Sequence, residues 1–122
     1  MTGVARITAI VLEAADPAKL AEFYRELTGM TVTDKDDEWV TLAGPDGATE
    51  LCVQRAPGHT APTWPDPASS MQYHLDLEVA DLDAAEEVAL RLGATKFGHQ
   101  PGKSFRVYAD PAGHPFCLCL PN

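Results

Sequence analysis

The chain repeats itself, and the repeat limits its folds more than any other feature. Shifted by 65 positions, Ile10-Val11-Leu12-Glu13-Ala14-Ala15-Asp16 lies over Leu75-Asp76-Leu77-Glu78-Val79-Ala80-Asp81, with Leu, Glu, Ala and Asp coinciding. Further on, Glu22 meets Glu87, Leu27 meets Leu92 and, after a one-residue gap, Gly29 meets Gly93. Near the end of each half, Gly44-Pro45-Asp46-Gly47 corresponds to Asp110-Pro111-Ala112-Gly113 at a shift of 66. A unit of about 60 residues buries its own apolar face poorly. The two copies, within 122 residues, are therefore expected to share one core as a single domain.

Each copy reads as strand, helix and then a run of strands closed by a turn. Arg6 to Glu13 is rich in β-formers; Asp16 suits a helix N-cap and Pro17 the first helical position. Leu20, Phe23, Tyr24 and Leu27 recur at the spacing of one helical face, and Gly29 supplies the left-handed stop. In the second copy Asp81 or Asp83 caps, and Leu82, Ala85, Val88, Ala89 and Leu92 form the stripe before Gly93. Strands are expected around Thr31–Thr33, Glu38–Leu42 and Glu50–Gln54, then around Thr95–Gly98, Phe105–Ala109 and Phe116–Leu120. Module one thus spans about residues 4–55 and module two about 71–120. Residues 56–70 between them carry four prolines, which forbid a helix or central strand and make a stiff linker. Its Trp64 reads as an anchor for the linker, with the roof of a pocket as the other reading.

Charge and composition exclude several partner classes. Nine basic and 18 acidic side chains give a net charge of -9, spread as 5 against 10 up to residue 60 and 4 against 8 beyond it. That balance disfavours nucleic acid, whose binding needs basic patches. No apolar run is long enough to span a bilayer. The first residues lead straight into a strand pattern, without the apolar core of a signal peptide. Cys52, Cys117 and Cys119 are odd in number and sit in apolar runs, so reduced buried thiols and a cytoplasmic location are expected.

Several familiar chemistries are missing. There is no phosphate-cradling glycine loop and no Gly-x-Ser-x-Gly elbow. His59, His99 and His114 fall in loop contexts without spaced partners and are expected to be solvated. Asp34, Asp36, Asp37 and Glu38 lack the glycine and distal glutamate of a calcium loop and read as an exposed turn. Asp76 and Glu78 alternate with Leu75, Leu77 and Val79, so they share a strand face with His74. That face is either a ligand-binding surface or solvent.

Read together, these segments resemble the vicinal oxygen chelate superfamily, which includes glyoxalase I, bleomycin-resistance proteins and extradiol dioxygenases. The residues that carry the resemblance are Asp16-Pro17, Phe23-Tyr24-Arg25-Glu26-Leu27-Thr28-Gly29, His74-Leu75-Asp76-Leu77, Asp81 to Ala85, Leu92-Gly93-Ala94 and Asp110 to Leu118. Pro62 to Leu77 resembles in particular an actinobacterial glyoxalase-like subgroup. The resemblance implies an α+β fold in which two βαβββ modules pair into one incomplete, cup-shaped β-barrel. It also implies a homodimer, further suggested by the edge strands of two half-barrels.

Enzymes of the superfamily hold a divalent metal on the first and last strands of both modules. Carried onto this chain, the first position falls on Ala9, its repeat partner is His74, and the last-strand carboxylate falls on Cys117. The module-one counterpart of Cys117 is Leu51 by the 66-residue shift, or Glu50 if the turn is one residue shorter. A methyl group cannot coordinate, so Ala9 and Cys117 disfavour a Zn, Ni, Mn or Fe centre, and no cofactor is expected. Cys117 and Cys119 then read as small apolar lining; as a nucleophile, Cys117 would need a base such as His74.

The expected function is metal-independent binding of a small organic ligand, aromatic or cationic and antibiotic-like, by Trp39, Trp64, His74, Asp76, Tyr108 and Cys117. The alternative is a metal-dependent lyase, isomerase or dioxygenase using Glu50 and His74.

Overall fold

The computed structural model describes residues 3–121, except for the Asp46 side chain. Its elements run β1 (Ala9–Ala14), α1 (Pro17–Thr28), β2 (Thr31–Lys35), β3 (Trp39–Ala43) and β4 (Glu50–Arg55) in the first half. The second half repeats them as β5 (Leu75–Glu78), α2 (Leu82–Arg91), β6 (Thr95–Lys96), β7 (Phe105–Ala109) and β8 (Pro115–Cys119). Each half is a βαβββ module with its own four-stranded mixed sheet, ordered β1-β4-β3-β2 and β5-β8-β7-β6. In each, the first and last strands pair in parallel and the remaining pairs are antiparallel. The chain divides into compact units at His59/Thr60.

Local chemistry accounts for the helices. The Asp16 carboxylate accepts the Lys19 N–H at 3.2 Å, Pro17 opens α1, and Gly29 closes it with φ +76°. Leu20, Ala21, Phe23 and Tyr24 are buried, the two rings meeting edge to face at 4.9 Å between centroids. Val40, Leu42, Leu51 and Val53 form the buried aliphatic row of the module-one sheet. Asp81 rather than Asp83 caps α2, accepting from the Ala84 N–H, which leaves Asp83 free to reach Arg106 on β7.

Most strand boundaries differ by a residue or more from the sequence pattern, and for three strands the reason is visible. The strand foreseen from Arg6 begins at Ala9, where its partner β4 begins; only the Thr8 carbonyl extends the pairing, accepting the Glu50 N–H. The strand expected over Thr95–Gly98 is two residues long, because Gln100 takes over the edge of β7. Its side chain accepts the Val107 N–H and donates to the Val107 and Phe97 carbonyls. β8 starts one residue early, at Pro115 opposite Ala109, because the first position of a strand tolerates a missing N–H.

The turn between β7 and β8 also seats the end of the linker. Buried Asp110 accepts the N–H groups of Ala112 and His114, and Gly113 stands at φ +91°. A Cβ at position 113 would collide with the Ala61 methyl. Glycine is required there both for its backbone angle and for the close approach. Gly113→Ala should therefore lower the unfolding free energy by roughly 2 kcal/mol. Urea titration followed by far-UV circular dichroism measures this, and a loss below a few tenths would contradict it.

Candidate functional site

The strand register of module two sorts its side chains into two rows. Asp76 stands opposite Cys117, and Cys117 opposite Val107; next along come Glu78, Cys119 and Phe105. The alternate row is Leu75, Phe116 and Tyr108, then Leu77, Leu118 and Arg106. Helix α2 covers this second row: the Tyr108 hydroxyl donates to Glu86 at 2.8 Å, and Arg106 reaches Asp83 at 2.8 Å.

This arrangement corrects the expectation for Tyr108. The ring is fully buried, stacks on Phe116 at 5.5 Å, and lies on the opposite face of the sheet from Asp76 and Cys117. Burial, aided by the Glu86 charge, pushes its hydroxyl well above the usual range. Lys96 and Tyr108 donate to Glu86 and hold that carboxylate below its own. Tyr108 is a core residue of module two.

On the other row a cluster forms. His74 immediately precedes β5 and has the parity of Asp76; its Nε2 lies 3.0 Å from Asp76 Oδ1. One imidazole nitrogen, one Asp76 oxygen and the Cys117 Sγ all fall within 4.8 Å of one another. The first two side chains are accessible, at 39% and 64%, whereas Cys117 is buried. Beside the cluster runs an open groove of about 340 Å³ lined by Asp76, Glu78, Ser104, Phe105, Cys119 and Leu120. Gly102 lies beneath the Phe105 ring, where any Cβ would run into it. Sequence reasoning missed Phe105, Ser104 and Leu120 as lining residues. The alternation of β7 against β8 carries the signal for Phe105, because it stands directly across from Cys119.

The remaining candidates are not among the residues that line this groove. Trp64 packs edge to face on Phe97 at 5.0 Å and tilts against His99 at 5.4 Å. His99, foreseen as solvated, is therefore half of an aromatic contact, although its residue is exposed. Trp39 belongs to module one, where its indole N–H donates to Thr41 at 2.8 Å. Glu50 pairs with Ala9 and shares its row with Cys52, while Leu51 falls in the aliphatic row. Cys52 is the register counterpart of Cys117: Val11 faces Cys52 as Asp76 faces Cys117. The expectation of Leu51 or Glu50 at that place is corrected, because the turn of module one is one residue longer than that of module two, which restores the shift of 65.

The four metal positions implied by the enzymes therefore do not fit this chain. Position 9 offers only a methyl group, and the last strand of module two offers a thiol instead of a carboxylate. Burial, with the Asp76 charge beside it, pushes the Cys117 thiol up to about 12. Cys119 is raised for the same reasons. Neither is an activated nucleophile. In protein treated with EDTA, iodoacetamide labelling of Cys117 should be slow at pH 8 and rise about tenfold per pH unit past pH 10. Peptide mass spectrometry reads the rate, and levelling-off near pH 9 would contradict the shift.

Known proteins share this fold. Residues 9–119 match the family described as "Glyoxalase-like domain". No curated protein matches the sequence. A glyoxalase/bleomycin resistance protein/dioxygenase family enzyme of Burkholderia phytofirmans superposes with a TM-score of 0.75 at 16% identity, covering 95% of this chain and 98% of that one. The trypanothione-dependent glyoxalase I of Leishmania major gives 0.68 at 22% identity, covering 95% and 86%. TnmS3, an antibiotic-binding protein from a Streptomyces species, gives 0.64 at 18% identity and covers both chains completely. At such identities the likeness shows the fold. With nearly the whole chain matched, this protein belongs to the glyoxalase-like domain family.

Proposed function

We propose that the chain is a binding protein that takes a small, cationic, aromatic ligand on the open face of the module-two sheet. The observation that carries this reading is the groove itself, in which the carboxylates of Asp76 and Glu78 stand beside the ring of Phe105 and the apolar Leu120. Such a surface offers a π-face and charge to a planar cation, and a net charge of -9 adds a long-range attraction of the same sign. His74 and Cys117 are the adjoining contacts, and binding does not call on the two-module metal centre, which lacks its donor at Ala9. TnmS3, an antibiotic-binding protein of the same fold, supports an antibiotic-like ligand. Trp39 and Trp64 enter this reading as fluorescence reporters of binding. The same reading extends to a homodimer working in the cytoplasm, and to membership of the actinobacterial subgroup that Pro62 to Leu77 resembles. Among the described residues, no helix is long and apolar enough to cross a membrane.

A planar monocationic dye and a neutral dye of the same shape separate charge from apolar contact. Titrated at low salt in the presence of EDTA, the cation should bind at least about tenfold more tightly, a preference that 0.5 M salt erodes. Asp76→Asn should remove most of that preference, and Phe105→Ala should weaken both dyes. Equal affinity of the two dyes for the unaltered protein would sink the proposal.

A further inference from the structure

Module two places three unlike donors at one spot, and its duplicate in module one does not. The positions equivalent to His74, Asp76 and Cys117 are Ala9, Val11 and Cys52, so the duplicated units share the thiol and differ in both accessible donors. The superfamily's metal set draws on both modules and fails here at Ala9. Asp76, which that set does not use, supplies a carboxylate on β5, two residues after His74, and directly across from the thiol.

We propose that His74, Asp76 and Cys117 form a three-donor site for a single thiophilic divalent cation of the zinc class, built entirely within module two. The geometry requires little adjustment. Donors on a tetrahedral zinc ion lie roughly 3.3–3.8 Å apart, given bonds of about 2.0–2.3 Å. His74 Nε2 and Asp76 Oδ1 already stand at 3.0 Å, and the widest separation in the trio is within 4.8 Å. The two side chains that must close in are the accessible ones, while Cys117 is held by the buried strand β8. One sulfur, one nitrogen and one oxygen favour zinc or cobalt over magnesium or calcium, which require several oxygens. Three protein donors leave a fourth position open toward solvent. On binding, Cys117 loses its proton to bulk water and the thiolate enters the coordination shell. This site goes beyond the ligand reading and does not depend on it.

The test is cobalt titration of the reduced, EDTA-stripped and desalted full chain under anaerobic conditions, followed in the near ultraviolet. The expected result is one cobalt per chain with a sulfur-to-cobalt charge-transfer band, displaced by one equivalent of zinc. Cys117→Ser should abolish the band, while Cys52→Ser and Cys119→Ser keep it. His74→Gln and Asp76→Asn should each weaken binding at least about tenfold. Absence of the band in the unaltered protein, or its survival in Cys117→Ser, overturns the site. Should Cys117→Ser fail to fold by circular dichroism, the two accessible positions decide. Unchanged cobalt affinity in both His74→Gln and Asp76→Asn also overturns it. The dye preference is measured with EDTA present, so failure of the metal site and failure of the ligand reading are separate outcomes.

Discussion

Parallel pairing of the first strand with the last sets the geometry of each module. It joins Ala9 to Glu50 in one copy and Leu75 to Phe116 in the other, and everything near the site follows from that register. Because strand side chains alternate, a slip by one residue would exchange the two faces. Asp76 would then point toward α2, and Leu77 would stand among polar groups. The buried row of Phe116, Leu118 and Tyr108 prevents this, since burial of such side chains is worth about 1.5–3 kcal/mol each. The apolar face thereby fixes the position of the polar one.

Much of this was legible in the chain. The repeat located both helices and the caps of the first, where Asp16-Pro17 and Gly29 perform the roles their residue types suggest. The alternation of Leu75, Asp76, Leu77 and Glu78 correctly put His74 and both carboxylates on one side. Comparison of the two copies failed where loop lengths differ. The module-one turn contains a short 3-10 segment, Pro45–Gly47, which adds one residue. Matching the turns by composition therefore displaced Cys117 onto Leu51 instead of Cys52. Tyr108 was misread because an aromatic residue in a strand is equally suited to a pocket wall and to a core. Only the register beneath α2, with Glu86 waiting for its hydroxyl, distinguishes the two.

The two copies have also divided their properties. All eight residues of the groove and cluster are in module two, while most exposed large apolar residues among those described, namely Val4, Ile7, Ile10, Val11 and Val32, belong to module one. The shared thiol at Cys52 and Cys117 shows that position alone does not create chemistry. In module one the Cys52 thiol donates to Thr41, with Val11 across from it; in module two the same place meets a carboxylate and an imidazole.

The parallel pairing bears also on how the chain acquires its structure. In both modules the paired residues stand 41 positions apart, as Ala9 does from Glu50 and Leu75 from Phe116. The longest loop in each sheet is thus closed inside its own module. Loop-closure entropy grows only with the logarithm of length, so each closure is modest, and neither waits for the other. During synthesis the strands of module one are complete once Arg55 has emerged, before any strand of module two exists to compete for β1. The proline-rich stretch that follows adds an interval of translation between two sheets whose similar strands could otherwise exchange partners.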